Sequence, residues 1–256
     1  MLTKVVNMPP PKIFIVMPAR NCAKTLERTY NEIPKEFRKY IVLIDNVSED
    51  NTIGIARKLK LNLIKHEVDM GYGGSIKDGY SYSMKSGADI IVVFHPDNQY
   101  DGTKLPQLIK PIIDNKADFV MGSRWLGDRF KGMPRYKIVG NKTLTIIQNL
   151  VLGTSMSELH SGMVACRREV LETIPFNLNF NDHTFASDFV AQVKSFGFRL
   201  GEIGIPTRYF KEASSVNFVQ GTMYTIKTLV TLFAYVLHNY NIRKSKQFTS
   251  KSSLKQ

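Results

Sequence analysis

The chain has 256 residues, 43% of them hydrophobic and 22% charged, enough to bury one full core and too apolar for a disordered, collagen-like or disulfide-stapled protein. Its 35 Lys and Arg against 22 Asp and Glu give a net charge of +13, which draws it toward an anionic partner: nucleic acid, an acidic membrane or a phosphorylated ligand. The only cysteines, Cys22 and Cys166, have no metal-type spacing and read as packing residues of a reducing, cytoplasmic compartment.

In chain order, the apolar run Ile13 to Met17 stops at Pro18, too short for a secretory signal, and no run reaches the ~18 residues of a membrane span. Strands are predicted at Lys12 to Met17, Tyr40 to Ile44, Asn62 to Lys65, Asp89 to Phe94 and Phe119 to Met121. Helices fit between them at Thr25 to Ile33, Asn51 to Leu59, Ser75 to Ser86 and Lys104 to Ile113. The run Ile90 to Phe94 is apolar at every position, as in a strand buried on both faces. The alternation implies an α/β, Rossmann-like, mostly parallel sheet with helices on both faces.

The second half is less regular. A helix is predicted over Leu144 to Leu152, a short apolar segment over Met163 to Cys166, a helix over Phe185 to Ser195 and a Gly-rich strand at Gly201 to Ile205. From Val216 to Tyr240 an amphipathic helix carries Asn217, Gly221, Thr225, Thr228, Thr231 and His238 along one stripe, the rest being broadly apolar. Arg243, Lys244 and Lys246 follow, and the last dozen Ser/Lys-rich residues read as disordered. The expected organisation is a main domain over 1–215, the helix over 216–242 and a basic tail over 243–256. Between Thr207 and Gln256 there are eight basic residues and one acidic, so over half of the excess charge sits beside the apolar helix, which favours a membrane surface over DNA.

In parallel sheets ligands collect at the carboxyl ends of the strands. Here those ends read Pro18-Ala19-Arg20-Asn21, Asp45-Asn46-Val47-Ser48 and His95-Pro96-Asp97-Asn98-Gln99. Asp97 and Gln99, two apart on an extended chain, can turn their oxygens toward one hard cation, Mg²⁺ or Mn²⁺. An acidic residue after a strand also serves as a turn or helix cap, as Asp50 does by the same token. The segment Asp69 to Lys77 opens a helix with Gly71, Gly73 and Gly74, where backbone N–H groups and Lys77 can meet a phosphate; the alternative is a tight turn without ligand. His66, His160, His183 and His238 are scattered and read as surface or core residues.

Taken together, these blocks resemble glycosyltransferase family 2, the nucleotide-sugar-dependent enzymes of the GT-A fold that include the polyprenyl-phosphate glycosyltransferases. The resemblance runs from about Lys12 to about Tyr240 and adds Gly122-Ser123-Arg124, Ser161-Gly162, Arg167-Arg168 and Pro206 to Ser215 to the blocks above. It implies that Pro18, Ala19, Asn21 and Asp45 line the nucleotide pocket together with Gly73 and Lys77. By the same resemblance Asp97 and Gln99 hold Mg²⁺ or Mn²⁺, either with His95 or with diphosphate oxygens and water, Arg124 and Arg208 face the diphosphate or the acceptor's charge, and Asp188 stands at an acidic position that serves as catalytic base or acceptor-site carboxylate. Departures accompany the match: His95 replaces the first carboxylate of an Asp-x-Asp pair, Asn46 replaces an aspartate, Arg20 a frequent tyrosine, Glu158 a usual aspartate, and Ala186 another acid.

The reaction this resemblance implies is inverting displacement of a nucleoside diphosphate from a hexose by a polyprenyl phosphate or another membrane-associated or saccharide acceptor. A phosphate nucleophile is already ionised near neutrality, whereas a hydroxyl needs a base. The expected place is the cytoplasmic membrane face, with the C-terminal helix as interfacial contact or as a homo-oligomer surface. Two alternatives stand beside it: a catalytically idle nucleotide-sugar-binding protein, for which His95 and Ala186 argue, and a basic nucleic-acid-binding protein. The second is disfavoured because Asp45, Asp97 and Asp188 would repel a polyanion.

Overall fold

Val- and Ile-rich runs become strands because β-branched side chains pack well on a pleated surface covered from both sides. They are β1 (Ile13–Ala19), β2 (Ile41–Asn46), β3 (Asn62–His66), β4 (Ile90–Val93), β5 (Phe119–Ser123), β6 (Val164–Arg167) and β7 (Leu200–Gly204). The computed structural model describes residues 10–127, 133–208 and 218–255; the predicted positions Val216 and Asn217 and most of Pro206 to Ser215 lie outside them. The strands form one sheet in the order β3-β2-β1-β4-β6-β5-β7. All pairs are parallel except those of β6, which runs antiparallel between β4 and β5.

The helices are α1 (Leu26–Glu32), α2 (Thr52–Lys58), α3 (Gly71–Lys85), α4 (Leu105–Ile113), α5 (Arg135–Leu152), α6 (Arg168–Thr173), α7 (Phe185–Ser195) and α8 (Phe218–Asn239). Strand alternation splits the core in two. Ile15, Met17, Leu43 and Val92 meet Leu26 of α1, Ala56 of α2 and Leu108 of α4 on one face. Val16, Ile44, Ile91 and Val93 meet Tyr80 of α3, Val170 of α6 and Phe189 of α7 on the other, with Leu232 and Tyr235 of α8 packed behind.

Three boundaries depart from the sequence reading. Helix α3 begins at Gly71 rather than Ser75, so the glycines form its first turn. Helix α5 begins at Arg135, nine residues before Leu144; Pro134, with φ −57°, precedes its first turn, and Gly153 in the left-handed region (φ 62°) ends it. The tail is docked rather than disordered: Phe248 is buried against Tyr235 and His238, and the Lys251 ammonium lies 4.2 Å over the Phe176 ring. Hydrophobic contact and a cation–π contact hold a stretch whose composition alone suggested freedom.

Helix α8 inverts the usual polarity of a surface helix. Thr228 and Thr231 of its polar stripe are buried against α5 and α7, while Val219, Met223, Ile226, Val230 and Phe233, spaced four and three apart, are exposed. The outer side of α5 adds exposed Val139, Ile146 and Leu150. Among the described residues no helix is long and apolar enough to cross a membrane.

Close packing sets the fit of α3 to the sheet. A Cβ on Gly79 would stand 2.2 Å from a methyl of Val16 on β1. Gly79→Ala is therefore expected to lower stability by about 1–3 kcal/mol, measured by denaturant unfolding; an unchanged midpoint would show that the contact relaxes freely.

Candidate active site

The carboxyl ends of β1 and β2 lie side by side, Ala19 in register with Asp45. The loops after them are tied together. Asn21, in the left-handed region (φ 51°), donates its N–H to Ser48 Oγ at 2.9 Å, and its Oδ1 accepts from Glu49 N–H at 2.8 Å. Asp45 is fully buried: Oδ2 accepts from Ser48 N–H at 3.2 Å, and Oδ1 has no partner among the described residues. A buried carboxylate oxygen without a donor is costly unless a ligand supplies one. Val47, between them, holds φ 58°, a strained conformation for a β-branched residue. Pro18, Ala19, Asn21 and Asp45 are thus brought together at one edge of the sheet's ligand end.

Gly73 and Lys77 are used differently from the sequence expectation. The Asn181 carbonyl accepts the N–H of Gly73 at 2.6 Å, so the chain itself occupies the helix terminus where a phosphate was expected. A Cβ on Gly73 would stand 2.3 Å from the Phe180 carbonyl oxygen, which explains the glycine by close approach of backbone. The Lys77 ammonium donates to the Asn179 carbonyl at 2.5 Å and to Asn181 Oδ1 at 2.6 Å. Both residues clamp the 179–181 loop onto α3.

Beyond β4 a hollow of about 370 Å³ opens between the strand-end loops and the helices α5 and α8. Its core side carries Tyr72, His95, Gln99, Tyr100, Arg124 and Gly162; its helical side carries Lys137, Leu144, Tyr224 and Thr225. Asp97, 7% exposed and between His95 and Gln99 in the chain, is not itself among the residues that line the hollow; it accepts the Gln99 N–H through Oδ1 at 3.0 Å. One ring nitrogen of His95 is already engaged. Its Nε2 bonds to the Tyr72 hydroxyl at 3.1 Å, its ring lies edge-on to Tyr72 and Tyr100, and a Cβ on Gly162 would touch it at 2.4 Å. Burial pushes the His95 imidazole down to about 4, so it is neutral. Among the described residues no three His, Cys, Asp or Glu side chains cluster for a metal. The hard oxygens of Asp97 and Gln99 nevertheless suit Mg²⁺ or Mn²⁺ whose remaining ligands are diphosphate oxygens.

Arg124 lines the hollow and is held by Glu158, which is fully buried. Its N–H donates to Oε2 at 2.7 Å and its Nε–H to Oε1 at 2.6 Å. Arg208 is turned elsewhere: its guanidinium pairs with Glu32 of α1 at 2.8 Å, while its N–H donates to the Gln99 carbonyl at 2.9 Å. It braces the Asp97–Tyr100 loop rather than lining the hollow.

Asp188 is corrected as well. It is fully buried on α7, with Oδ1 accepting from Thr231 of α8 at 2.5 Å and Oδ2 from the Phe180 N–H at 2.9 Å. Ala186 lines the hollow instead. Burial, partly offset by these hydrogen bonds, pushes the Asp188 carboxyl up to about 6.

The sequence reading passed over His160 and His183, both of which line the hollow, and the whole of Arg135 to Asn141. His183 stacks on Tyr72 with centroids 4.7 Å apart, and His160 Nδ1 bonds to the Tyr224 hydroxyl at 2.7 Å. An alternating aromatic and histidine content around residues 72, 95, 100, 160 and 183 was visible, but only the fold brings those positions to one wall.

Three comparisons place this geometry among known proteins. Residues 14–175 match the family model described as glycosyl transferase family 2. The UDP-N-acetylglucosamine–dolichyl-phosphate N-acetylglucosaminyltransferase of Methanococcus voltae is 28% identical over 245 residues, covering 88% of this chain and 98% of that protein. The polyprenol monophosphomannose synthase of Mycolicibacterium smegmatis is 24% identical, covering 77% of each. The glucosyl-3-phosphoglycerate synthase of Mycobacterium tuberculosis, in a crystal structure with Mn²⁺, UDP and glucosyl-3-phosphoglycerate, superposes with a TM-score of 0.67 at 16% identity over 88% of this chain and 80% of that one. The fold is that of the GT-A glycosyltransferases.

The raised carboxyl of Asp188 has a stability consequence. The folded state binds its proton more tightly than the unfolded chain, so the contribution is full below about pH 4, fades as pH rises to about 6 and is absent above it. Asp188→Asn is expected to flatten that slope and to raise stability at pH 7.5 by roughly 1–3 kcal/mol, followed by thermal unfolding across pH 4–8, with turnover retained. A loss of turnover of 10² or more without unfolding would return Asp188 to the role of a base.

Proposed function

The chain belongs to glycosyl transferase family 2, and we propose that it moves a hexose from a UDP- or GDP-linked donor to a polyprenyl phosphate, with inversion, at the cytoplasmic membrane surface. One observation carries the reading: the hollow lined by His95, Gln99 and Arg124 is closed on its far side by two helices whose outer faces are apolar. A lipid acceptor can present its phosphate to that hollow while its chain stays among the outward side chains of α5 and α8. The relatives named for dolichyl-phosphate and polyprenol products support the acceptor class.

The nucleoside end of the donor fits the paired β1 and β2 loops, where Asp45 Oδ1 offers a buried acceptor and Asn21, Pro18 and Ala19 shape the wall. Asp97 and Gln99 would hold a Mg²⁺ or Mn²⁺ ion, which supplies charge stabilisation to the leaving diphosphate. The UDP-bound and Mn²⁺-bound states of the mycobacterial synthase support that assignment. Arg124, fixed by Glu158, adds an oriented cation on the same side of the hollow.

On the helical side, Lys137 is the lining cation that has no carboxylate partner among the described residues. Burial lowers the affinity of its ammonium for a proton, and an acceptor phosphate would restore it. The phosphate oxygen attacks the anomeric carbon as the bond to the diphosphate breaks, and the diphosphate leaves with the bonding electrons. The nucleophile carries its own negative charge, so the transfer needs no base; Ala186 lines the wall where a carboxylate could stand, and Asp188 does not line it.

Membrane contact follows from the same surface. The exposed stripes of α5 and α8 supply apolar area, and Arg243, Lys244 and Lys246 stand just beyond α8, each worth about 1 kcal/mol beside anionic lipid. The free, buried Cys22 and Cys166 suit a reducing compartment.

Asp97→Asn is expected to lower kcat about 10²- to 10³-fold with an unchanged melting temperature, assayed with a panel of nucleotide sugars, Mn²⁺ and a short polyprenyl phosphate; undiminished turnover would sink the role given to Asp97. The double change Ile226→Asp with Phe233→Asp is expected to abolish flotation with anionic vesicles while leaving the fold intact. Flotation that persists would show that α8 is not the membrane contact.

A further inference from the structure

His160 sits in the loop that Glu158 and Gly162 fix, and its ring lines the hollow from the core side, with Lys137 of α5 on the helical side. Its main-chain oxygen and one ring nitrogen are already engaged. The main-chain oxygen accepts from Arg124 at 3.2 Å, and Nδ1 lies 2.7 Å from the Tyr224 hydroxyl. That hydroxyl lies 2.6 Å from Ser187 Oγ on α7. The other ring nitrogen, Nε2, is buried and has no hydrogen-bond partner among the described residues. Native structures rarely leave such a nitrogen without one.

The chain of hydroxyls allows two proton arrangements. In one, Ser187 O–H donates to Tyr224, Tyr224 O–H donates to Nδ1, and Nε2 carries the ring proton. In the other, Nδ1–H donates to Tyr224, Tyr224 O–H donates to Ser187, and Nε2 offers a lone pair. The ring is neutral in both, because burial and the nearby Arg124 push it down to about 3. The first arrangement presents a donor suited to an anion; the second presents an acceptor suited to a hydroxyl. A neutral donor and Lys137 together can bind two non-bridging oxygens of a phosphate and leave the third to react.

We propose that His160 is a specificity-determining residue for the acceptor, donating its Nε2–H to a phosphate oxygen, with Tyr224 and Ser187 as positioning residues that hold this tautomer. The proposal rests on the phosphate-acceptor reading given above. It gives the α7–α8 contact a chemical role, because Tyr224 arrives from the helix that carries the apolar outer stripe. The helix that meets the lipid thereby also orients the group that reads its phosphate.

Steady-state kinetics of the full chain with farnesyl phosphate test it. His160→Ala should raise the acceptor KM at least about tenfold, the value of one hydrogen bond to a charged group, with the donor KM unchanged. His160→Gln, whose amide N–H reaches toward the Nε2 position, should recover most of that loss. Tyr224→Phe should raise the acceptor KM and leave kcat within about twofold. An unchanged acceptor KM in His160→Ala, equal rises in both KM values, or no recovery in His160→Gln at wild-type melting temperature would each overturn the proposal. Calorimetric binding of farnesyl phosphate reads the same contrast without turnover. Wild-type protein that fails to transfer to farnesyl phosphate overturns the reaction reading, whereas equal binding by wild type and His160→Ala overturns the role of His160.

Discussion

The buried pair of Arg124 and Glu158 is the contact on which the site depends. Glu158 is fully enclosed, and both its oxygens take hydrogen bonds from Arg124, one from the main chain and one from the guanidinium. An ion pair of this kind repays its desolvation only when geometry is tight and the remaining donors are used. Here they are, since the same guanidinium reaches the His160 carbonyl. The pair therefore ties the end of β5 to the loop 157–162. That loop in turn places Gly162 against His95, with its N–H on the Tyr100 hydroxyl at 2.9 Å. Loss of either charge would leave the other buried without its counterpart and free the wall of the hollow.

The antiparallel strand β6 explains why such a loop exists at all. A parallel chain would have to return along a helix before entering the sheet again. Because β6 enters against the direction of its neighbours, the segment leading into it lies at the ligand end of the sheet, beside the loop after β4. Ser161 and Gly162 thus arrive next to His95 and Tyr100 without any helix between them. Helices α5 and α8 close the hollow from the side.

Much of the sheet was readable because its strands are apolar on both faces and leave little doubt about period: Ile90 to Phe94 allows nothing else. The meeting of Asn21 and Asp45 was readable for a related reason, since both belong to loops that directly follow such strands. Lys77, Arg208 and Asp188 were misplaced because a charged residue near a strand end has many local partners, and spacing does not reveal which one it takes. Asn181, Glu32 and Thr231 are 104, 176 and 43 residues away from them. Helix α5 was shortened for a different reason. Its first turns contain Gly140, Asn141 and three basic residues, poor in the apolar periodicity by which a water-facing helix announces its buried side.

The proposed membrane contact accounts together for that failure of periodicity and for the inverted polarity of α8. A helix in water is recognised by polar residues outside and apolar residues inside. When the outer medium is a lipid headgroup boundary, the outward stripe gains by being apolar, and the inward stripe is free to be polar if it serves a ligand. Thr228, Thr231 and Tyr224 face the protein on α8, while Val219, Ile226 and Phe233 face away. In water this arrangement exposes apolar area at about 25 cal/mol for each Å², and among the described residues nothing packs over it. In the proposed reading something apolar covers the outer faces, and something polar enters the seam beneath them. A lipid phosphate meets both conditions with one molecule, which is why its hydrocarbon and its charge need not be explained by separate features of the fold.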